Sequence, residues 1–542
     1  MNRSTSRATT VATAALLLVS LIARGSASQG IPSPLEIQEQ ALENGFRLLL
    51  VEDHSTPRVA ANLWYRVGAM QEVNGEHGIT HFLEHVIHQG TTTVGTTDFE
   101  SELPILREIN ETEQELLAVR DRERNQLRER GVFFDELDWP TTPEMDQLRH
   151  RLYELELRDS QFRVFWAEYT LYRGHGGFSR HTDPVPASTE QEYMEISLAL
   201  PSQYIELFFR LEADRMVNAV LRGWEAQRFT VLEQILNSQS NPQTRFNEAI
   251  DGATAMSHPV YQPDGGHLRD FGNFSRQRML RIYDAYFVPN NATLVLVGDI
   301  TIDRARSLAE RYFGPVPRGP EPPARMDLEA EPIPGGTIRL EWSAPLQPQV
   351  VLRYRIPGVG HPDRPIFDTI AALLGERQGM LGSKLIGERQ LAISVRVDFR
   401  VIHTNRFGSP AAINLVAMGK RDEDLPAIEL EMLEVVRQLR QGQIDRAALE
   451  RAHKALRLEW AQARSDPVQL AFQIGHFDTM DNFKTLQTHM EGREHVTAEE
   501  IQRVAQQYFV PSNRVIATAR RDPPPEGEPD WRDLISSNDD ER

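Results

Sequence analysis

The chain has 542 residues, of which 40% are hydrophobic and 25% charged, a composition ordinary for a soluble globular protein and long enough for two to four domains. Its formal charge of −19 and sequence pI near 5.4 argue against a nucleic-acid role, which needs a basic surface. There is no cysteine, so disulfides and thiolate ligands are excluded and any metal must be held by His, Asp or Glu.

Arg3 and Arg7 precede an uncharged leucine-rich run from Ala8 to Ala23, and Gly25-Ser26-Ala27 offers small residues for cleavage. This reads as a secretory signal peptide over residues 1–27, which implies a periplasmic or secreted protein; an organelle transit peptide is the runner-up. No second segment reads as a membrane span. Glu43 to Glu52 reads as a hairpin arm and strand, and Val59 to Val67 as a second strand. A polar loop then leads into Gly78-Ile79-Thr80-His81-Phe82-Leu83-Glu84-His85-Val86-Ile87, which reads as a helix with Thr80 near its cap. From about Phe99 to Arg158 charged runs with leucines at helical spacing predict two long polar helices, broken near Trp139-Pro140. Arg173 to Gly177 is a loop, Ala187 to Leu200 an extended stretch, and Pro201 to Leu221 and Trp224 to about Ser238 are helices. A helix around Arg276 to Tyr286 and a strand from Thr293 to Val297 close the first half. Residues 315–336 are dense in proline and read as an interdomain linker. A second globular half covers 337–521, and the acidic, proline-rich tail 522–542 reads as disordered.

His81, Glu84 and His85 form a His-x-x-Glu-His run. Residues three and four apart share a helix face, so all three point the same way. Two imidazoles at that spacing can grip one zinc ion, and a carboxylate beside them can take a proton from metal-bound water; this is the inverzincin motif. The bland alternative is a helix carrying two solvated or core histidines. His88, one turn on, reads as a helix-surface histidine rather than a further ligand.

The two halves look alike. Tyr286-Phe287-Val288-Pro289-Asn290-Asn291 before a strand recurs as Tyr508-Phe509-Val510-Pro511-Ser512-Asn513, and Tyr65-Arg66-Val67 recurs as Tyr354-Arg355-Ile356. The two spacings differ by about the length of the charged helical stretch. The chain therefore reads as a duplicated domain whose first copy, 33–314, carries a helical insertion at about 99–172. Only the first copy has the His-x-x-Glu-His run.

These residues, with Gly90-Thr91, Leu211 to Met216, Val231-Leu232-Glu233, Ala285 to Asp299, Pro357 to Asp363 and Leu381 to Ser394, resemble the insulinase, pitrilysin and mitochondrial processing peptidase (M16) family of metallopeptidases, in its bacterial two-domain form. The resemblance implies an α+β fold of two homologous domains, each a mixed, mainly antiparallel sheet flanked by helices. It implies one zinc per chain on His81, His85 and a glutamate of a later helix, for which Glu233 is the acidic candidate, with Glu84 as general base in peptide hydrolysis. It also implies a peptide or unfolded segment as substrate, added as a strand at the edge Ala187-Ser188-Thr189, and a homodimer or a heterodimer with a second such chain.

Three departures leave alternatives open. One register puts Gln234 rather than Glu233 on the metal. The family's further glutamate, seven residues earlier, falls on Ala226 or Gln227. Pro186 to Thr189 replaces the usual edge segment. A non-catalytic subunit that binds peptides or a catalytic partner is the rival to a zinc endopeptidase; a metal buffer is a weaker third, for want of a His-rich tract.

Overall fold

Two sheets organise the chain, and each is built from apolar, β-branched runs. A computed structural model describes residues 35–132, 140–179, 186–255, 265–322, 336–375, 377–400 and 411–521. The signal-peptide segment, most of the linker and the tail lie outside them. The chain divides into Met1–Ile37 and Gln38–Arg542, and the fold described here is that of the second unit.

The first sheet contains β1 (Gln38–Ala41), β2 (Arg47–Glu52), β3 (Arg58–Tyr65), β4 (Ala187–Thr189), β5 (Met194–Pro201) and β6 (Ala292–Gly298), in the order β1-β2-β6-β3-β5-β4. The second contains β7 (Ile338–Ala344), β8 (Gln349–Ile356), β9 (Ala392–Arg400), β10 (Ala411–Gly419) and β11 (Arg514–Arg521), in the order β7-β11-β8-β10-β9. From β2 and from β7 outward the two orders correspond strand for strand. The senses also match, with one parallel pair (β2/β6, β7/β11) followed by antiparallel ones. The duplication expected from the repeated landmarks is thus present in the topology.

Helices of the first half are α1 (Ile79–Ile87), α2 (Phe99–Glu129), α3 (Pro143–Asp159), α4 (Ala167–Gly174), α5 (Ile205–Asn218), α6 (Trp224–Ser240), α7 (Pro242–Ala255), α8 (Arg276–Tyr286) and α9 (Ile302–Tyr312). Those of the second are α10 (Arg364–Leu374), α11 (Leu425–Arg440), α12 (Arg446–Ser465), α13 (Pro467–Met480), α14 (Thr485–Gly492) and α15 (Ala498–Tyr508). The expected polar pair at 99–158 is the α2–α3 hairpin, joined through Ile105, Ile109, Leu152 and Leu155. Two buried arginines tie it to the body: Arg222 donates to Glu102 at 2.5 and 2.9 Å, and Arg276 to Glu156 at 3.0 Å. The expected extended stretch Ala187–Leu200 is instead two antiparallel strands, because the chain reverses where Glu190 N donates to Tyr193 O at 2.9 Å.

Each sheet is covered on both faces, which explains why β3 and β6 read as nearly continuous apolar runs. On β2 and β3, Leu48, Leu50, Val59, Ala61, Leu63 and Tyr65 face the first half's own helices. The opposite face of β3 and β6 is covered by α13, which comes from the second half. Gly475 of α13 sits so close to Trp64 that a Cβ there would lie 2.0 Å from Nε1, so only glycine allows this seat. The exchange is reciprocal: α7 of the first half covers β7 and β11, with Phe246 and Ile250 packed on Val351, Val416 and Ala517.

Each exchanged helix carries a buried carboxylate that meets an arginine of the other half's sheet. Asp478 accepts from Arg47 at 2.6 and 2.9 Å and from Arg66 at 2.8 Å. Asp251 accepts from Arg353, whose Nε also donates to Asn414 at 2.7 Å. Removing one member of such a group leaves charge under the interface. Asp478→Ala is therefore expected to lower the unfolding free energy by about 2–4 kcal/mol, discounted from the fully buried case because Arg47 and Arg66 keep some solvent contact. Urea denaturation checks this; a loss under about 0.5 kcal/mol, typical of a surface change, would contradict it.

Candidate active site

The site begins with α1, whose apolar face (Ile79, Phe82, Leu83, Val86, Ile87) is fully buried in the first half's core. The helix is fixed at both ends by opposite charges. At its N-terminus Glu72 accepts from Gly78 N at 2.7 Å, Thr80 N at 2.9 Å and Thr80 Oγ1 at 2.5 Å. At its C-terminus Arg215 Nη1 donates to Ile87 O at 2.9 Å. A carboxylate at the positive end and a guanidinium at the negative end both suit the helix dipole. The cap residue is Gly78, not Thr80: its φ of 100° is left-handed, and Thr80 lies one residue inside the helix, turned to Glu72.

A second loop lies against that turn at backbone contact. A Cβ on Gly266 would lie 2.1 Å from His77 O, and one on Gly78 would lie 2.6 Å from Gly265 O. His77 Nδ1 and Asp270 Oδ2, 2.6 Å apart, clasp the same two segments.

On this support His81, Glu84 and His85 do share one side of α1. The two rings are edge to face with centroids 4.9 Å apart. Burial first, then the neighbouring His85, lowers His81 to about 3, so its imidazole is neutral with a lone pair to offer. His81 Nδ1 has no hydrogen-bond partner among the described residues. His85 is also held below its usual value by burial, against the opposing pull of hydrogen bonds from Gln227 and Gln234. Its Nδ1 lies 3.3 Å from Gln227 Oε1; with that carbonyl as acceptor, Nε2 keeps the lone pair. Glu84 is buried and accepts from Thr189 Oγ1 at 2.6 Å. Thr189 thus brings β4, the outermost strand, onto the carboxylate. Ala187 and Ser188 lie beside it in β4, paired to Ile196 and Glu195 of β5.

The later helix presents amides to this site. Gln227 and Gln234 of α6, seven residues apart and so on one face, both reach His85. Gln234 also lines a cavity of about 620 Å³ with His81. Glu233, the acidic candidate, is not among the residues lining that cavity; it is exposed, as are Gln234 and Ala226. Both registers, Ala226 with Glu233 and Gln227 with Gln234, keep the seven-residue spacing, so the packing of α6 on α1 is what separates them. His88 is not on the surface as expected. Its side chain is 3% exposed, 3.7 Å from Glu168, because the helix ends there and turns it inward toward the Arg215 ion pairs with Glu168 and Glu212.

These donors do not fit the zinc site that the motif implies. Two neutral imidazoles are present, but the third position offers a carboxamide, a poor ligand beside a carboxylate. Among the described residues no group of three or more His, Cys, Asp or Glu is arranged to hold a metal.

The cavity is completed from the other half by Arg353, Arg396, Asp398, Phe399 and Asn414. Sequence reasoning missed these residues, since only the pairing of the two halves brings them to His81. Against known proteins, residues 47–124 match the family model described as insulinase (peptidase family M16), and 273–456 match that described as peptidase M16 inactive domain. The chain belongs to the M16 peptidase family. It is 19% identical over 508 residues to a Helicobacter pylori protein named zinc protease PqqE, covering 91% of this chain and 94% of that one. Among solved structures it is similar to a Helicobacter pylori protease, with TM-score 0.68 and 17% identity over 90% of this chain and 99% of that one. It is also similar to the periplasmic protease PqqL of Escherichia coli, with TM-score 0.64 and 14% identity over 90% of this chain and 48% of that one. No described helix is long and apolar enough to cross a membrane.

Gly266→Ala tests the loop contact beneath α1. It combines a left-handed φ of 83° with a clash against the His77 carbonyl, and is expected to cost roughly 1–3 kcal/mol. Thermal unfolding should fall accordingly, whereas Gly252→Ala, which meets nothing within 4 Å, should be neutral or stabilising.

Proposed function

We propose that this chain is a peptide-binding member of the M16 peptidases, holding peptides or unfolded segments in the cleft between two M16-type halves, 33–314 and 337–521, without cleaving them by itself. The observation that carries this reading is the pair Gln227 and Gln234 at His85, with Glu233 absent from the cavity that Gln234 and His81 line. Exchanging a carboxylate for an amide removes the negative charge that would offset a bound cation, and leaves the histidines too weak a pair to retain zinc. A peptide strand could still add along β4, where Ala187, Ser188 and Thr189 form the outer edge. Hydrolysis would then belong to a second M16-type chain in a dimer, and the periplasm, where the E. coli relative works, is the compartment that the signal peptide and this reading share.

A second reading is favoured by the gathering of His81, Glu84 and His85 on one face of α1 and by the relatives' names. In it the chain is a zinc endopeptidase with one zinc per chain on His81, His85 and Glu233 or Gln234, and with Glu84 as general base.

Metal analysis of the mature protein, run beside hydrolysis of a quenched-peptide library with and without chelator, separates the two. The binding reading expects well under one zinc per chain and no chelator-sensitive cleavage. It further expects the double variant Gln227→Glu/Gln234→Glu to tighten zinc binding by at least about tenfold. One zinc in the unaltered protein with chelator-sensitive cleavage, abolished by Glu84→Gln, would establish the second reading instead.

A further inference from the structure

The second half contains a larger cavity, of about 860 Å³, at the position that corresponds to the candidate site in the first. It is bounded by α10, β9, α12 and α13, with α14 closing one side. α10 follows β8 as α1 follows β3. β9 is the outer strand beside β10 as β4 is beside β5. The α12–α13 pair, like α6–α7, turns at a single residue before a proline. Where α1 carries histidines, this cavity has a cluster of guanidinium groups.

Arg364 and Arg493 line it, and both are almost wholly buried, 5% and 4% exposed. They share one partly buried carboxylate, Asp368, at 3.4 Å from Arg364 Nε and 3.8 Å from Arg493 Nη1. The other acidic group in reach, Glu459, lies 3.3 Å from Arg493 Nη1 but on a mostly solvated side chain. His489 spends its Nε2 on Asp368 at 2.8 Å. Burial works against charge on Asp368, yet the His489 hydrogen bond and the two arginines outweigh it and hold the carboxyl at about 2, so Asp368 is ionised and fully committed. Arg364 Nη1 and Arg493 Nε have no hydrogen-bond partner among the described residues. Arg364 Cζ lies 4.2 Å from the centre of the Phe399 ring, a cation–π contact that helps hold the side chain in place. Arg364, Arg396 and Arg493 against Asp368 and Glu459 leave the lining with an excess of one positive charge.

We propose that this cavity is a carboxylate-binding site and takes the C-terminal carboxylate of a peptide lying in the cleft. A monoanion balances the excess charge, whereas a phosphate dianion would overshoot it. Guanidinium groups with N–H donors not committed to protein acceptors suit the two oxygens of a carboxylate. Apolar wall residues, among them Ala371, Phe472, Phe477 and Met490, suit the side chain that accompanies a chain terminus. The cavity also adjoins the candidate site, since Arg396 and Phe399 of β9 line both. A peptide that passes His81 and crosses Arg396 and Phe399 enters this cavity. The peptide as bearer of the carboxylate rests on the binding reading above; the carboxylate itself rests on the arginines.

The test uses the mature full chain, chelator present, and one short unstructured peptide labelled with fluorescein at its N-terminus, prepared as free acid and as C-terminal amide. Anisotropy should show the acid binding at least about tenfold tighter than the amide, a difference that one charge-assisted contact readily supplies. Ala455→Glu, on the exposed side of α12 at the cavity wall, should bring the acid's affinity down toward the amide's with the melting temperature unchanged. Equal binding of acid and amide would overturn the site while leaving the peptide-binding reading intact. If neither peptide binds but acetate raises the melting temperature more than inorganic phosphate does, the carboxylate site stands and the peptide reading falls. Stronger stabilisation by phosphate would overturn the carboxylate assignment.

Discussion

The structure depends on an exchange of helices between its two halves, each sealed by a carboxylate under the partner's sheet. Without α13, one face of β3 and β6 would expose Trp64 and its apolar neighbours; without α7, the same would hold for Val351, Val416 and Ala517. The cleft is a by-product of this arrangement. Because α6 leads directly into α7, the helix that carries Gln227 and Gln234 is positioned by the helix that grips the second sheet. Because β8 and β10 receive Asp251 through Arg353 and Asn414, those side chains are drawn to the wall that faces His81.

Much of this was legible in the sequence where the cause is local. The His-x-x-Glu-His run gave the face of α1, since side-chain direction follows from helical period alone. The repeated tyrosine-centred landmarks gave two matching sheets, and the charged leucine-spaced stretch gave the α2–α3 hairpin. What was not legible depended on tertiary placement. Glu233 and Gln234 are adjacent in sequence and roughly a quarter-turn apart on the helix, so only the packing of α6 on α1 decides which reaches His85. The position of His88 on α1 alone points to the surface; the buried Arg215 ion pairs that enclose it come from elsewhere in the chain. The split of Ala187–Leu200 turned on one reversal at Glu190–Tyr193, in a stretch with no glycine and no Asn-Gly or Asp-Gly pair to announce it.

The electrostatics of the two halves diverge while their topology stays the same. In the first, the groups around His85 are uncharged: the imidazoles are neutral, Gln227 and Gln234 are amides, and Glu84 is turned to Thr189, while the charged lining of the cavity lies on Glu248, Asp251, Arg353, Arg396 and Asp398. In the second, charge concentrates at the equivalent address, with Arg364 and Arg493 around Asp368. One scaffold thus offers two adjoining addresses, one built on neutral imidazoles and amides and the other on buried guanidiniums.

The exchange of α13 also has a consequence for synthesis. Arg47 and Asp478 are separated by 431 positions in the chain, so nearly the whole polypeptide must be made before the first sheet gains its second cover. During that interval the face around Trp64 is open to other chains and to chaperones. The first half is therefore a client of whatever shields nascent apolar surface, and its folding completes only once the second half has emerged.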